Sequence, residues 1–190
     1  MTTQTANPPE NIAAIVQKEV ERTITRATRG IGVMLNRDEP EVGVTPKDII
    51  YTRGTMRLNH YHPMSDEVYR VPVVLVMSLI SKPYILDLTP GFSFVEFLLK
   101  QGFDVFMIDW GVPRPEDTRL KLEDYTLDFI PSCVEKVQEA TGETDMSFIG
   151  YCMGGMLALI YGGLHAGAPM ANLVTIATPV DFDGMGMFRQ

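Results

Sequence analysis

Cys152 stands in the run Gly150-Tyr151-Cys152-Met153-Gly154-Gly155. A thiol set between glycines at this spacing suits covalent catalysis, because a thiolate attacks carbonyl carbon and small neighbours leave it room on a tight turn. The run follows an apolar stretch, Met146–Ile149, and precedes a helix-like stretch that starts near Met156. A strand, a glycine-flanked nucleophile and a helix make up a nucleophile elbow, usually written G-x-S-x-G, with cysteine here in the serine position. The elbow forces its central residue into a strained backbone conformation, and a Cβ at 150 or 154 would collide with neighbouring backbone. A thiol at a helix N-terminus also meets the positive end of the helix dipole, which favours thiolate. The plain alternative is a glycine-rich turn that carries an inert buried cysteine.

A thiol nucleophile needs a base, normally histidine, and in hydrolases with this elbow the order is nucleophile, acid, histidine. Of the three histidines only His165 follows Cys152. It falls more than three turns along the expected helix, too far to reach the thiol. His60 and His62 lie on or just past an early strand and read as polar residues at a sheet edge. Asp181 ends a strand after the elbow, a place where some hydrolases carry a comparable acid. Cys133 shares an apolar helical spacing with Phe129, Ile130 and Val137, so it reads as a buried structural thiol. No His, Cys and Asp grouping has metal-ligand spacing, and no metal or cofactor is expected.

These residues are positioned by alternating elements. Strand-like segments at Ile49–Thr52 and Thr55–Tyr61 flank Gly54, and Val71–Ser78, Phe103–Ile108, Met146–Ile149 and Leu173–Ala177 are apolar runs. Helical patterns occupy Phe94–Gln101, Leu122–Ala140 and Met156–His165. The alternation predicts an α/β fold, a mostly parallel sheet with helices on both faces and its active site at the carboxyl ends of the strands. Residues 48–190 form the expected catalytic core. Residues 1–47 read as a linker preceded by an amphipathic helix over Ile12–Leu35, with Ile12, Ile15, Val16, Val20 and Ile24 on one face, suited to docking a partner.

With 190 residues and 45% hydrophobic content the chain can bury one sizeable core. A formal charge of −8 argues against a nucleic-acid surface, so an anionic substrate needs local help from a residue such as Lys82 or from backbone amides. The longest apolar stretch, Val71–Ile80, is too short to span a bilayer, and no signal peptide pattern is evident. Two cysteines, one the candidate nucleophile, fit a reducing cytoplasmic setting.

The runs Lys82–Leu88 (KPYILDL), Gln101–Phe106 (QGFDVF), Ile108–Gly111 (IDWG), Leu122–Tyr125 (LEDY), the elbow Gly150–Gly155 and Leu173–Phe182 (LVTIATPVDF) are collinear. Together they resemble the catalytic subunit of polyhydroxyalkanoate synthases, most closely the two-subunit, class III kind. The resemblance implies an α/β-hydrolase-like core. It also implies that Cys152 attacks the thioester of a 3-hydroxyacyl-coenzyme A, releasing coenzyme A as the acyl group joins a growing polyester. Other expected partners are a second synthase subunit or further copies of the chain, at a polyester granule surface. In the elbow rule one oxyanion donor is the amide of Met153, and the second lies in the loop after the third strand, Leu79 or Ile80. Asp87 reads as support for that loop, or else as a helix-capping or solvent-facing aspartate. Trp110 either lines an acyl channel or packs as a core aromatic.

In the synthases the acid and histidine lie beyond position 190, so the chain is expected to be an N-terminal portion lacking the last strands of the sheet, and Asp181 does not match the family acid. Two other functions stay open. One is a cysteine hydrolase resembling dienelactone hydrolase, whose elbow also reads G-Y-C-x-G-G but which is not expected to carry the YILDL, DWG and TPVDF runs. The other is an inactive fragment that binds a partner.

Overall fold

The computed structural model describes residues 17–26 and 41–181. Residues 17–26 are helical (α1), with Val20 and Ile24 exposed, whereas Ile12, Ile15 and Val16 lie outside the described residues. The chain divides into two compact units, Met1–Pro40 and Glu41–Gln190.

The second unit is built on a six-stranded sheet: β1 (Lys47–Arg53), β2 (Met56–Tyr61), β3 (Val73–Val76), β4 (Val105–Asp109), β5 (Met146–Tyr151) and β6 (Met170–Ile176). The order across the sheet is β1-β2-β4-β3-β5-β6. β1, β2 and β4 pair antiparallel, while β4, β3, β5 and β6 run parallel. Gly54, at φ +59°, is the first of the two residues that turn β1 into β2, where a short hairpin favours a left-handed residue. Every residue of β3 and the first four of β4 are buried, so both faces of the sheet's centre are covered. This is why those strands appear in the sequence as unbroken apolar runs.

The helices between the strands are α2 (Phe94–Lys100), the single turn α3 (Leu122–Asp124), α4 (Ile130–Thr141) and α5 (Met153–Leu164). Ser93 caps α2 by accepting a hydrogen bond from the Glu96 amide at 3.0 Å. Between α3 and α4 the chain makes a π-turn, Tyr125–Phe129. Pro131, two residues past the turn, has no amide for the carbonyl four residues back, which accounts for the widened ladder there. α4 ends on Gly142 at φ +73°, whose amide bonds the Gln138 carbonyl.

α5 starts three residues before the sequence pattern suggests. Gly154 and Gly155 look like loop residues by propensity, yet they form its first turn. Contact with the sheet, not propensity, requires them. A Cβ on Gly154 would lie 2.0 Å from the Val76 carbonyl oxygen, and one on Gly155 would lie 2.0 Å from Thr178 Oγ1. Gly163, near the other end of the same helix, has open space around it. Gly154→Ala should therefore destabilise the fold by about 3 kcal/mol in denaturant titrations. Gly163→Ala should leave stability unchanged or raise it by up to about 1 kcal/mol. Equal effects of the two substitutions would contradict this account of α5.

Candidate active site

Cys152 sits between the end of β5 and the start of α5 with φ +52° and ψ −122°. Among the described residues it and Ala177 are the only non-glycines in the left-handed half of backbone space. Such a conformation costs on the order of 1–2 kcal/mol and persists only where surrounding structure enforces it. The enforcement is visible on both sides. The Cys152 amide donates to the Ile176 carbonyl at 2.8 Å, and its carbonyl accepts from the Gly155 amide at 3.0 Å. Gly150 lets the turn close, since a Cβ there would lie 2.3 Å from the Gly155 Cα. Both backbone groups of Cys152 are thus engaged, and its half-buried side chain is left at the strand tip.

Met153 is the first residue of α5, so its amide is one of the helix N-terminal donors without an intrahelical acceptor. The loop after β3 holds the two candidates for the second donor. Ile80 is 79% exposed, and its amide donates to Ser78 Oγ at 3.2 Å. No acceptor for the Leu79 amide occurs among the described residues. Of the pair, Leu79 therefore has the amide available for an oxyanion.

Trp110 is buried and donates its indole Nε1–H to the Met77 carbonyl at 2.7 Å. A Cβ on Gly154 would lie 2.6 Å from that same oxygen, so Met77 is held between the helix and the indole. The ring meets Tyr125 edge-on, with centroids 5.1 Å apart, and lies 6.5 Å from Phe129. It also lines a cavity with Met56, Leu79, Leu120, Tyr125 and Phe129. Trp110 thus packs as a core aromatic and also faces a cavity bordered by Leu79.

Asp87 is 2% exposed, so its reading as a solvent-facing aspartate is overturned. Its carboxylate accepts from Thr45 Oγ1 at 2.5 Å, the Thr45 amide at 3.3 Å and Ser93 Oγ at 2.7 Å, with Lys47 Nζ at 4.0 Å. It ties the segment entering β1 to the capping serine of α2, a structural staple. Cys133 is buried beside Met56 Sδ at 3.5 Å, and burial pushes its thiol up to about 12. Among the described residues no group of three or more His, Cys, Asp and Glu could hold a metal ion.

All three histidines lie toward the end of the sheet opposite Cys152. His60 Nε2 lies 2.7 Å from Asp104, which precedes β4, and its ring stacks on Phe106. His62 follows the end of β2 and meets Asp48 at 2.9 Å. His165 caps the far end of α5, about 18 Å along the helix from Cys152, with Nε2 3.4 Å from the Thr126 carbonyl. Asp181 is exposed shortly past β6. Sequence reasoning missed Thr178, which closes on Gly155, and Thr45, whose partner Asp87 is too distant in sequence to appear in any local pattern.

Residues 80–188 match the family model described as alpha/beta hydrolase fold. The chain belongs to that family. Residues 37–98 match the model of the poly-beta-hydroxybutyrate polymerase (PhaC) N-terminus. The poly(3-hydroxyalkanoate) polymerase subunit PhaC of Haloferax mediterranei is 40% identical over 167 residues, 88% of this chain and 33% of the relative. The subunit from a Synechocystis strain is 37% identical over 80% of this chain and 40% of its own length. That from Allochromatium vinosum is 36% identical over 81% and 44%. The chain thus spans between about a third and under half of the length of these three relatives, and its likeness is to the N-terminal portion of these polymerases. Among solved structures, the Francisella virulence factor BioJ aligns with a TM-score of 0.54 at 14% identity, over 83% of this chain and 51% of that one. A probable hydrolytic enzyme from Pseudomonas aeruginosa gives 0.52 at 16% identity, over 74% and 44%. These two structures support the fold.

As an α/β-hydrolase elbow, the site makes two separate expectations. A thiol-specific alkylating reagent at neutral pH should modify Cys152 in the native protein and Cys133 only after denaturation, read by peptide mass. In the unfolded chain the Cys133 thiol ionises near its ordinary value of 9.0, whereas in the folded protein it does so near 12. Its contribution to stability is therefore complete below pH 9 and is lost as pH rises toward 12, an effect measurable by denaturant titration across that range. The second expectation concerns the Leu79 loop. Trp110→Phe leaves the Met77 carbonyl without its buried donor and should destabilise the protein by about 1–3 kcal/mol. A change within a few tenths would mean that the indole hydrogen bond contributes nothing net.

Proposed function

We propose that the complete protein is an acyltransferase that polymerises (R)-3-hydroxyacyl-coenzyme A into polyhydroxyalkanoate, with Cys152 as its nucleophile. The observation that carries this reading is the left-handed Cys152, clamped at a helix N-terminus beside the Leu79 loop. The polymerase names of the relatives support the choice of substrate over other acyl donors.

In the first step the Cys152 sulfur attacks the thioester carbonyl. The tetrahedral oxyanion accepts hydrogen bonds from the amides of Met153 and Leu79, donors fixed before reaction. Collapse forms the Cys152 thioester and breaks the bond to coenzyme A, whose sulfur ends with the proton that Cys152 gave up. The hydroxyl of a second acyl unit then attacks the Cys152 thioester carbonyl, forming the new ester bond and breaking the C–S bond to Cys152, whose sulfur regains the proton that the hydroxyl gives up. The substrate is a coenzyme A thioester and the reading needs no further cofactor. A second synthase subunit or further copies of the chain are the partners it implies, at the surface of a polyester granule.

None of this chain's histidines faces Cys152, so its thiol proton has no imidazole acceptor here. Acylation of Cys152 by 3-hydroxybutyryl-coenzyme A should be slow and should accelerate on addition of free imidazole, read as the mass of the Cys152 peptide. Cys152→Ala should abolish the adduct and any polymer. An adduct that survives this substitution would overturn the assignment. Release of free hydroxy acid with no chain growth would favour a cysteine hydrolase of the dienelactone-hydrolase type. An inert thiol, with or without imidazole, would favour a fragment that only binds a partner.

A further inference from the structure

The apolar cavity beside Trp110 opens into a wider cleft. The two share Gly54, Thr55, Met56, Gly111 and Pro113. The cleft's far walls carry Arg57 from β2, Lys82 from the loop after β3, and Arg114 from the loop after β4. All three are exposed. Lys82 is the residue the sequence singled out as a possible anion partner, whereas Arg57 and Arg114 reach it only through the fold.

The charges in this cleft are arranged unlike those elsewhere on the unit. Between residues 41 and 181 there are ten lysines and arginines. Lys47, Arg53, Arg70, Lys100 and Lys136 are in ion pairs. Arg57, Lys82, Arg114, Arg119 and Lys121 are in none among the described residues, and three of these five line the one cleft. The acid beside them, Asp109, accepts the Gly111 amide at 2.9 Å and forms no ion pair with any of the three among the described residues. A cleft lined by unpaired cations makes a local positive field in a chain of net charge −8, and such a field draws an anion.

Position identifies the anion. The cleft lies at the carboxyl ends of β3 and β4, and Arg57 pairs in register with Asp109 at that same end. Cys152 is at the carboxyl end of β5. Arg57 on β2 is three strand spacings away, about 14 Å. A phosphopantetheine arm bridges such a span, placing its sulfur at Cys152 and its phosphates among the cations. From this we infer that Arg57, Lys82 and Arg114 bind the phosphate groups of the coenzyme A moiety. The inference rests on the thioester reading and names the part of the substrate that this cleft holds. Arginine and lysine suit the task because charge-assisted hydrogen bonds to phosphate remain favourable on an exposed wall.

The test is calorimetric titration of coenzyme A into the wild-type chain, the triple variant R57Q/K82Q/R114Q and the control R119Q/K121Q. The control removes the two unpaired cations outside the cleft. The triple variant should bind coenzyme A roughly tenfold more weakly or worse, with the control close to wild type. Pantetheine, which lacks the phosphates, should bind the wild type weakly and without salt dependence. Equal affinities in all three proteins, an equal loss in the control, or no binding to the wild type would overturn the inference. Should the triple variant fail to fold, as judged by circular dichroism, the three single substitutions and the salt dependence of wild-type binding provide the same comparison. The thioester reading is checked separately by acylation of wild-type Cys152 with 3-hydroxybutyryl-pantetheine. Acylation there, together with unchanged coenzyme A binding in the triple variant, would sink this inference alone.

Discussion

The close approach of the first turn of α5 to the end of β3 is the constraint from which the candidate site follows. A helix whose second and third residues carried a Cβ could not sit there, because the Val76 and Met77 carbonyls and Thr178 already fill the space. With glycine at 154 and 155 the helix drops onto the sheet, and the connection from β5 has only one residue in which to turn. Cys152 takes up that turn at φ +52°. The strain is local and modest, on the order of 1–2 kcal/mol, and the two backbone hydrogen bonds of Cys152 are of a size to offset it.

That approach also fixes the neighbouring strand end. The Met77 carbonyl touches Gly154 on one side and receives the Trp110 indole on the other. Ser78 and Leu79 follow directly, so the direction of the loop is inherited from the helix contact. Trp110 in turn is held by Tyr125 and Phe129, which belong to the π-turn ahead of Pro131. Packing thus passes from the elbow through the Met77 carbonyl and the indole to the wall of the cavity. The two ends of the sheet divide the chemistry: the thiol and the cation-lined cleft occupy one end, and the histidines, two of them paired with aspartates, the other.

Much of this was legible in the sequence, and the gaps have physical causes. β3 and β4 were plain because strands covered on both faces are apolar without interruption. The elbow was plain because its glycines are sterically required and occur at fixed spacing. The start of α5 was misplaced, since helix propensity counts Gly154 and Gly155 as breakers while the close contact demands them. Asp87 reads in the sequence as support for the site loop, a cap or a surface acid, because its main partner, Thr45, is 42 residues earlier. The Ile80 amide could not be separated from that of Leu79, because a serine hydroxyl two residues back decides between them. Arg57 and Arg114 gave no signal at all: nothing local marks two exposed arginines as neighbours across a cleft.

The clamp on Cys152 also bears on what its side chain can do. Because the amide bonds Ile176 and the carbonyl is engaged by Gly155, the backbone at 152 does not depend on the sulfur. Among the described residues the Cys152 sulfur makes no hydrogen bond, in contrast to Cys133, which is buried against Met56 and kept protonated by its surroundings. The two thiols of one chain are therefore set apart by environment alone: one belongs to the core, and the other is presented by a turn that would hold its shape around any small residue. A thiol that the fold presents but does not need for its own stability is free to serve the acylation proposed for Cys152.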